Sequence, residues 1–306
     1  MKSNLELFKE YYKKMVAIGD CDPAFPILKY VCNRYELNME QRYWLAFLYG
    51  TNYSAVTTFY IYNEFPDFEN VNVDRLQRWW DSNKSKLLFQ TDRLKVKSFD
   101  KFVDIFKSYK QLVGDNQFKS FADLKTYEEI YNFSSNIYYF GRFSLFNYIE
   151  ALHEIAGLVV TPTFIDLKEA ESSRNGLCYV FEKYQYITPY SKPINYEELQ
   201  NDFIILMGEL DEKATIWNVE TVLCAFKKLF WGKRYLGYYI DRQMAEILIM
   251  QDRVTEGVDW SVLWDFRKEY FDKKWLGEFN HWKGIRKNMM NVFKNSKIFE
   301  VNTLEI

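Results

Sequence analysis

Residues that break helices are scarce in this sequence, and that scarcity limits its fold more than any other feature. The 306 residues include only 12 glycines and 6 prolines, whereas average usage gives roughly 21 and roughly 15. A sandwich of short strands needs a turn about every 8–12 residues and would use more of both. Apolar residues also recur at helical spacing, as in Phe99, Val103, Phe106 and Tyr109. The sequence therefore predicts an all-α fold.

Several helix starts are visible as caps. A capping box needs an N-cap side chain followed three residues later by Glu or Gln. The pattern occurs at Asn38 with Gln41, Thr126 with Glu129, and Asn195 with Glu198. Asn218, Asp241 and Asp259 are further predicted caps, because each precedes an apolar helical pattern.

Aromatic residues make up 19% of the chain, with 26 Phe, 24 Tyr and 9 Trp. Most are expected in the core, with the Tyr hydroxyls and Trp N–H groups satisfied at its edges. The functional alternative is a pocket that stacks flat rings such as nucleobases.

The short segment 157–165 is rich in β-branched residues and is interpreted as a connection between two lobes. It predicts an N-terminal helical lobe over residues 1–160 and a C-terminal helical lobe over 161–306, with lobes that can interleave.

The overall charge excludes a strongly basic protein, because 40 Lys and Arg face 42 Asp and Glu. Two segments are nevertheless basic: residues 84–110 hold eight Lys or Arg against three acids, and residues 267–297 hold nine against three. Either segment can follow a phosphate backbone or be an ordinary solvated helix face.

Metal and cofactor sites are not expected. The four cysteines form no CxxC pair, and the two histidines, His153 and His281, lie far apart. The start, MKSNLELFKEYYKK, is amphipathic rather than a signal peptide, and no apolar run of 18 residues exists. We therefore predict a cytoplasmic location, no membrane partner and no cofactor.

The segment YFGRFSLFNYIEALHE, residues 139–154, is the first candidate for chemistry. Arg142 and Asn147 can hold an anionic substrate or brace helix ends. Glu150 and His153 share a helix face and can bind a metal or move a proton. A second Glu-x-x-His, which a di-iron site needs, is absent, so a hydrogen-bonded histidine is the simpler interpretation.

A second polar stretch runs from Asp166 to Gly176, in a helix predicted from Asp166 to about Tyr179. Asp166 is a polar candidate on one face of that helix. Arg174 and Asn175 can form a phosphate or carboxylate clamp, because arginine presents a bidentate fork. An exposed helix surface is the alternative.

The third stretch, residues 218–246, contains Lys233 and Asp241. A carboxylate at a helix start is often only a cap. It is also held ionised there by the helix dipole, and it can then act as a base or stabilise a cation.

This third stretch resembles the active-site segment of helix-hairpin-helix DNA glycosylases. A helix over Thr221–Phe230, a Gly232-Lys233 turn, a short run over Tyr235–Ile240 and then Asp241 follow in the order found there. The segment IWNVET lacks the Gly-x-Gly turn of those enzymes. The resemblance, over 217–246, implies a two-lobed helical fold with Asp241 as the catalytic residue.

A wider resemblance is to phage enzymes of thymine hypermodification, the α-glutamyl/putrescinyl thymine pyrophosphorylases or amino acid:DNA transferases. Their helical module is also associated with a 5-hydroxymethyluracil DNA kinase. The segments that resemble them are RYWLAFLYGTNYSAVTTFYIYNEFPDF, LFQTDRLKVKS, FGRFSLFNYIEALHEI, FIDLKEAESSRNGL, IWNVET and GKRYLGYYIDRQ.

The resemblance implies a phage-encoded enzyme that acts on DNA in the host cytoplasm. It would displace phosphate or pyrophosphate from an activated, flipped 5-hydroxymethyluracil with an amine or amino acid. Asp241 would be the base or cation stabiliser, and Tyr139 and Phe143 would line the base pocket. Phosphate or carboxylate contacts are expected from Arg142, Asn147, Arg174, Asn175 and Lys233.

A DNA kinase is a further implied partner, since this chain has no P-loop of its own. Two alternatives remain open at this point. One is a glycosylase that removes a modified base, and the other is a non-catalytic DNA-binding module that accompanies a kinase.

Overall fold

The computed structural model describes residues 3–89, 92–187, 189–231 and 233–270. The first nine helices are α1 (Asn4–Ala17), α2 (Ala24–Arg34), α3 (Met39–Asn52), α4 (Ala55–Glu64), α5 (Val73–Asn83), α6 (Asp92–Val113), α7 (Gln117–Phe121), α8 (Tyr127–Ser134) and α9 (Arg142–Ala156). They are followed by α10 (Glu171–Val180), α11 (Tyr196–Glu209), α12 (Ile216–Phe230), α13 (Tyr238–Arg253) and α14 (Ser261–Tyr270). The described residues contain no strand, so the all-α prediction is confirmed. None of the described helices is long and apolar enough to cross a bilayer.

The chain divides into two compact units. The first includes the residues up to Pro23 and Thr163–Arg242, and the second consists of Ala24–Pro162 and Gln243–Arg267. The first unit therefore holds α1, α10, α11, α12 and the first turn of α13. The lobe limits expected from the sequence, 1–160 and 161–306, stay a prediction.

In the first unit, α10 packs directly against α12. Gly176 makes this approach possible, because a Cβ atom at this position would stand 2.1 Å from the carbonyl oxygen of Leu223. Helix α1 adds Phe8, whose ring meets Phe226 edge to face at a centroid distance of 5.2 Å. These helices share one apolar core, which fixes the end of α12 and the segment that follows it.

In the second unit, α3 packs against α9. A Cβ atom on Gly50 would lie 2.7 Å from the Cβ of Tyr148. Phe47 stacks on Tyr109 at a centroid distance of 3.9 Å. The buried hydroxyls are satisfied in a chain, because Tyr148 donates to Tyr109 at 3.2 Å and Tyr109 donates to Gln117 at 2.8 Å. The expectation of an aromatic core with hydrogen-bonded hydroxyls is confirmed.

The N-caps whose hydrogen-bond partners lie close to them in sequence are largely as predicted. Both directions of the capping box are present at Asn38 and at Thr126. Asn195 accepts the Glu198 N–H at the start of α11. The prediction for Asn218 is wrong, since Thr215 is the cap of α12 and Asn218 lies inside the helix.

Candidate active site

Asp241 lies in the first turn of α13 and is 7% exposed. The Tyr235 hydroxyl donates a hydrogen bond to its Oδ2. The expectation that Asp241 itself caps this helix is wrong, because α13 begins at Tyr238 and the Asp241 N–H donates to the Gly237 carbonyl. The Tyr235 hydroxyl therefore helps to orient this carboxylate.

A different carboxylate accepts hydrogen bonds from the backbone N–H groups at the start of α13. The two oxygens of Asp20 accept the N–H groups of Gly237 at 2.7 Å and Ile240 at 2.9 Å, and Asp20 is completely buried. An anion here also interacts favourably with the positive end of the helix dipole. Asp20 was not expected from the sequence, because it follows α1 and lies more than two hundred residues before the helix that it caps.

Asp20 lies among several polar and ionisable side chains. The pKa of the Tyr11 hydroxyl is raised well above its usual value, first by burial and then by the charge of Asp20. Tyr239 and Cys21 raise this pKa further, and Arg234 opposes them. The first turn of α13 is therefore bordered by ionisable side chains from α1 and from the segment after α12.

Several lysine and arginine side chains lie at the end of α12 and in the segment that follows it. Lys227 is 5% exposed, and burial lowers the pKa of its ammonium group. Burial, followed by the positive charge of Arg234, lowers the pKa of Lys228 to about 8. The Arg234 guanidinium lies 3.8 Å from the centroid of the Tyr238 ring. Neither Lys228 nor Arg234 was singled out in the sequence, although GKRY follows an apolar helix that ends in two lysines.

Lys233, a predicted phosphate contact, is exposed beside this region. Its N–H donates to the Lys228 carbonyl at 2.9 Å, and its ammonium lies 5.5 Å from the centroid of the Trp231 ring. Lys233 therefore lies beside the end of α12, two residues before Tyr235 in the chain.

Arg174 and Asn175 lie inside α10 and are buried. Arg174 donates through Nη1 to the carbonyls of Leu167 and Lys168, each at 2.9 Å, and through Nη2 to the Tyr190 hydroxyl at 2.9 Å. Among the described residues no partner meets Arg174 Nε or Asn175 Oδ1. The arginine already holds the loop before its own helix, and its role toward substrate stays a prediction.

The helix predicted from Asp166 begins five residues later, at Glu171. Asp166 lies in the preceding turn, where its Oδ1 accepts the Glu169 N–H at 3.1 Å. The helical position predicted for Asp166 is therefore wrong, because its side chain stabilises a turn.

In the second unit, α9 carries the other predicted polar residues. Arg142 is its first residue, while Asn147 and Glu150 are buried within it. Asn147 Nδ2 has no hydrogen-bond partner among the described residues. His153 Nδ1 is 2.9 Å from the Leu158 carbonyl oxygen, which matches the hydrogen-bonded histidine expected as the simpler interpretation. No group of three or more His, Cys, Asp or Glu side chains in the described ranges is arranged to hold a metal.

The two aromatic residues proposed for a base pocket differ in exposure. Tyr139 is 45% exposed and has a left-handed backbone with φ of 63°. Phe143 is half-buried and meets Tyr53 edge to face at 5.9 Å. Their contact with a base stays a prediction.

A buried polar network at the α3–α4 corner was not anticipated. Ser54 donates from its hydroxyl to Glu246 Oε2 at 3.1 Å and from its N–H to Asn52 Oδ1 at 2.8 Å. Thr58 also donates to Asn52 Oδ1, at 3.3 Å. The run of small polar residues in GTNYSAVTT was the available signal, and residues 50–52 complete α3.

The sequence profile of the amino acid:DNA transferase family matches residues 18–235 of this chain. The chain belongs to this family. The match covers Asp20, Arg174, Lys228 and Arg234, and it ends before Asp241. As a family member, the protein is an enzyme that modifies DNA with an amino acid as co-substrate, which is the first of the three functions considered from the sequence.

A relative of this transferase is a protein named serinyltransferase from Salmonella phage ViI. The two are 28% identical over 291 residues, which cover 83% of this chain and 70% of the relative. No solved structure gives a significant match to the chain.

Proposed function

We propose that this transferase joins the amino group of an amino acid to the exocyclic methylene carbon of an activated 5-hydroxymethyluracil in DNA. The observation that carries the proposal is the family match over residues 18–235. The resemblance of six segments of the chain to thymine-hypermodifying enzymes supports the choice of base. Serine is the first amino acid to test, because the phage relative is named a serinyltransferase.

In the proposed step, the lone pair of the neutral amine attacks the methylene carbon, and a C–N bond forms. The C–O bond to the activating group breaks, and its electrons leave with the phosphate or pyrophosphate oxygen. The new ammonium nitrogen then gives up one proton to a base. The reaction needs the base turned out of the duplex and the amine held close to the carbon, with water excluded.

Asp241 is the proposed group that accepts this proton or stabilises positive charge at the methylene. Its support is geometric: the carboxylate is buried, and the Tyr235 hydroxyl holds one of its oxygens. A fixed, poorly hydrated carboxylate interacts more strongly with a developing cation than a solvated one does.

Substrate contacts are proposed for the remaining candidates. Lys233, Arg174 and Asn175 belong to the first unit, and Arg142, Asn147, Tyr139 and Phe143 to the second. Because hydroxymethyluracil is itself a poor electrophile, a phosphoryl-transfer reaction must first activate it. A DNA kinase is therefore the proposed upstream partner.

The test uses the full chain with three duplexes, which carry 5-hydroxymethyluracil, its monophosphate or its pyrophosphate. Each is incubated with and without serine, and the nucleosides are analysed by mass spectrometry. We expect a serine-dependent mass gain with an activated duplex and none with the unactivated one. Abasic sites would instead indicate a glycosylase, and a gain on unactivated hydroxymethyluracil would contradict the proposed leaving group.

A further inference from the structure

The end of α12 and the segment after it form a compact group of cations, which we call the α12 basic cluster. It consists of Lys227, Lys228, Lys233 and Arg234. The last turn of α12 supplies the first two residues. The hydrogen bond from the Lys233 N–H to the Lys228 carbonyl ties the following segment back to the helix end.

None of the four cations forms an ion pair with a carboxylate among the residues that the structure describes. Glu171 and Glu220 lie near Lys227 and favour its charged form, yet burial outweighs them. Asp20, the carboxylate that shares the surroundings of Arg234, already accepts two backbone N–H groups of α13. The cluster therefore has a positive charge that this part of the protein does not neutralise.

A helix C-terminus favours cations, so lysines in the last turn of α12 have a simple structural explanation. That explanation does not account for Lys228. Burial and the nearby Arg234 lower its pKa to about 8, so the free protein disfavours its charged form even at the negative end of a helix. The groups that influence this ammonium are Arg234, Cys224, Lys227 and Arg242. A bound anion would relieve this unfavourable electrostatic interaction.

Aromatic rings hold the cations in place. Lys227 and Lys233 lie 5.7 and 5.5 Å from the centroid of the Trp231 ring. The Trp231 N–H donates to the Tyr179 hydroxyl at 3.0 Å, although the ring is 45% exposed. Arg234 lies over Tyr238, and its buried Nε has no hydrogen-bond partner in the described ranges. Prepositioned cations lose less conformational entropy when they bind a ligand.

We propose that Lys228, Lys233 and Arg234 bind a phosphoryl group. Several cations match a group with two or more negative charges better than a single carboxylate does, and arginine can bind two phosphate oxygens at once. The phosphoryl group comes either from the DNA backbone or from the activating group of the modified base. The second source rests on the proposed function, whereas the chemistry of the site is the same for both.

Calorimetric titration of the full chain with inorganic pyrophosphate tests the site directly. Lys228→Met and Arg234→Gln are each expected to weaken binding about tenfold or more, because each removes a charge-assisted hydrogen bond. Lys228→Arg keeps the charge and should retain most of the affinity. Lys213→Met is the matched control, since this exposed lysine precedes the other end of α12, about 22 Å away along the helix.

Two further measurements distinguish the two sources of the phosphoryl group and check that Lys228→Met is folded. Binding of unmodified duplex DNA is measured across a salt series, where loss of a backbone contact lowers the salt slope by about one. A weaker duplex affinity in Lys228→Met indicates a backbone phosphate, and a loss confined to pyrophosphate indicates the activating group. The melting temperature of Lys228→Met should hold or rise, because a desolvated charge has been removed.

The assignment is overturned if Lys228→Met and Arg234→Gln bind both pyrophosphate and duplex DNA as the unchanged protein does. It is also overturned if Lys213→Met weakens binding to the same extent. Failure of the proposed amine transfer gives a different result, because no serine-dependent mass gain would appear while pyrophosphate or DNA binding still depended on Lys228.

Discussion

The pairing of Tyr235 with Asp241 gives this carboxylate an environment that can be tested by one substitution. In Asp241→Asn, the amide oxygen still accepts the Tyr235 hydroxyl, while the negative charge is lost. If Asp241 acts as the proton acceptor or cation stabiliser, single-turnover rates should fall by about two to four orders of magnitude. DNA affinity should hold or increase slightly, because a negative charge near the phosphates has been removed.

Asp20→Asn is the comparison for this experiment, since Asp20 is a second buried carboxylate at the same helix turn. It accepts two backbone N–H groups, and an amide has only one acceptor oxygen for them. Asp20→Asn should therefore lower the melting temperature of the protein. A folded Asp241→Asn protein with near-normal turnover would remove Asp241 from the mechanism.

The lowered pKa of Lys228 predicts a pH dependence for anion binding. Below about pH 8 the ammonium is charged and attracts an anion, and above it the amine is neutral, so pyrophosphate affinity should decline between pH 7 and 9. Titrations at several pH values would show it. Lys228→Arg should bind with little change over this range, because arginine stays charged. An equally steep decline in that variant would exclude Lys228 as its origin.

At the scale of elements, the contact between α10 and α12 depends on the missing side chain of Gly176. Gly176→Ala places a methyl group against the Leu223 carbonyl, and the helices must separate to accommodate it. The expected loss is about 1–3 kcal/mol of unfolding free energy or more, measured by denaturant titration.

Gly208 in α11 provides the matched control, because a Cβ there would meet nothing within 4 Å. Gly208→Ala should be neutral or stabilise by up to about 1 kcal/mol, since alanine is the better helix former. Equal effects at both positions would contradict the close packing of α10 against α12 at Gly176.

The helix starts show how far the sequence could predict these elements. The boxes at Asn38 and Thr126 were visible because the N-cap side chain and its partner lie three residues apart. The start of α13 was misassigned to Asp241 because its real partner, Asp20, comes from a segment distant in sequence. Similarly, Lys228 and Arg234 look like ordinary surface cations until burial and their mutual proximity are known.

At the scale of the whole molecule, DNA binding must come from local charge, because the formal net charge is only −2. The basic segment 84–110 lies largely in α6, whereas most of 267–297 lies outside the described residues. DNA affinity should fall steeply as salt concentration rises, since each neutralised phosphate releases counterions. Fluorescence anisotropy over a salt series measures this dependence, and a flat response would contradict a phosphate-based interface.

The all-α class was predictable at this scale because helical periodicity and the shortage of glycine and proline act along the entire chain. The close packing at Gly50 and Gly176 was not, because nothing local marks which glycines face another helix. The same limit applies to the buried network of Asn52, Ser54 and Glu246, whose members join distant parts of the sequence.

Three cysteines whose thiols are poorly reactive in the folded enzyme can be used to detect its unfolding. Burial raises the pKa of Cys32 and Cys178 to about 11 and that of Cys224 to about 12, so few reactive thiolates exist near neutral pH. An alkylating reagent would then modify these positions chiefly when the surrounding structure opens. Cys32 belongs to the second unit, and Cys178 and Cys224 belong to the first. Peptide mapping after timed alkylation would thus measure the opening of each unit separately, without any introduced label.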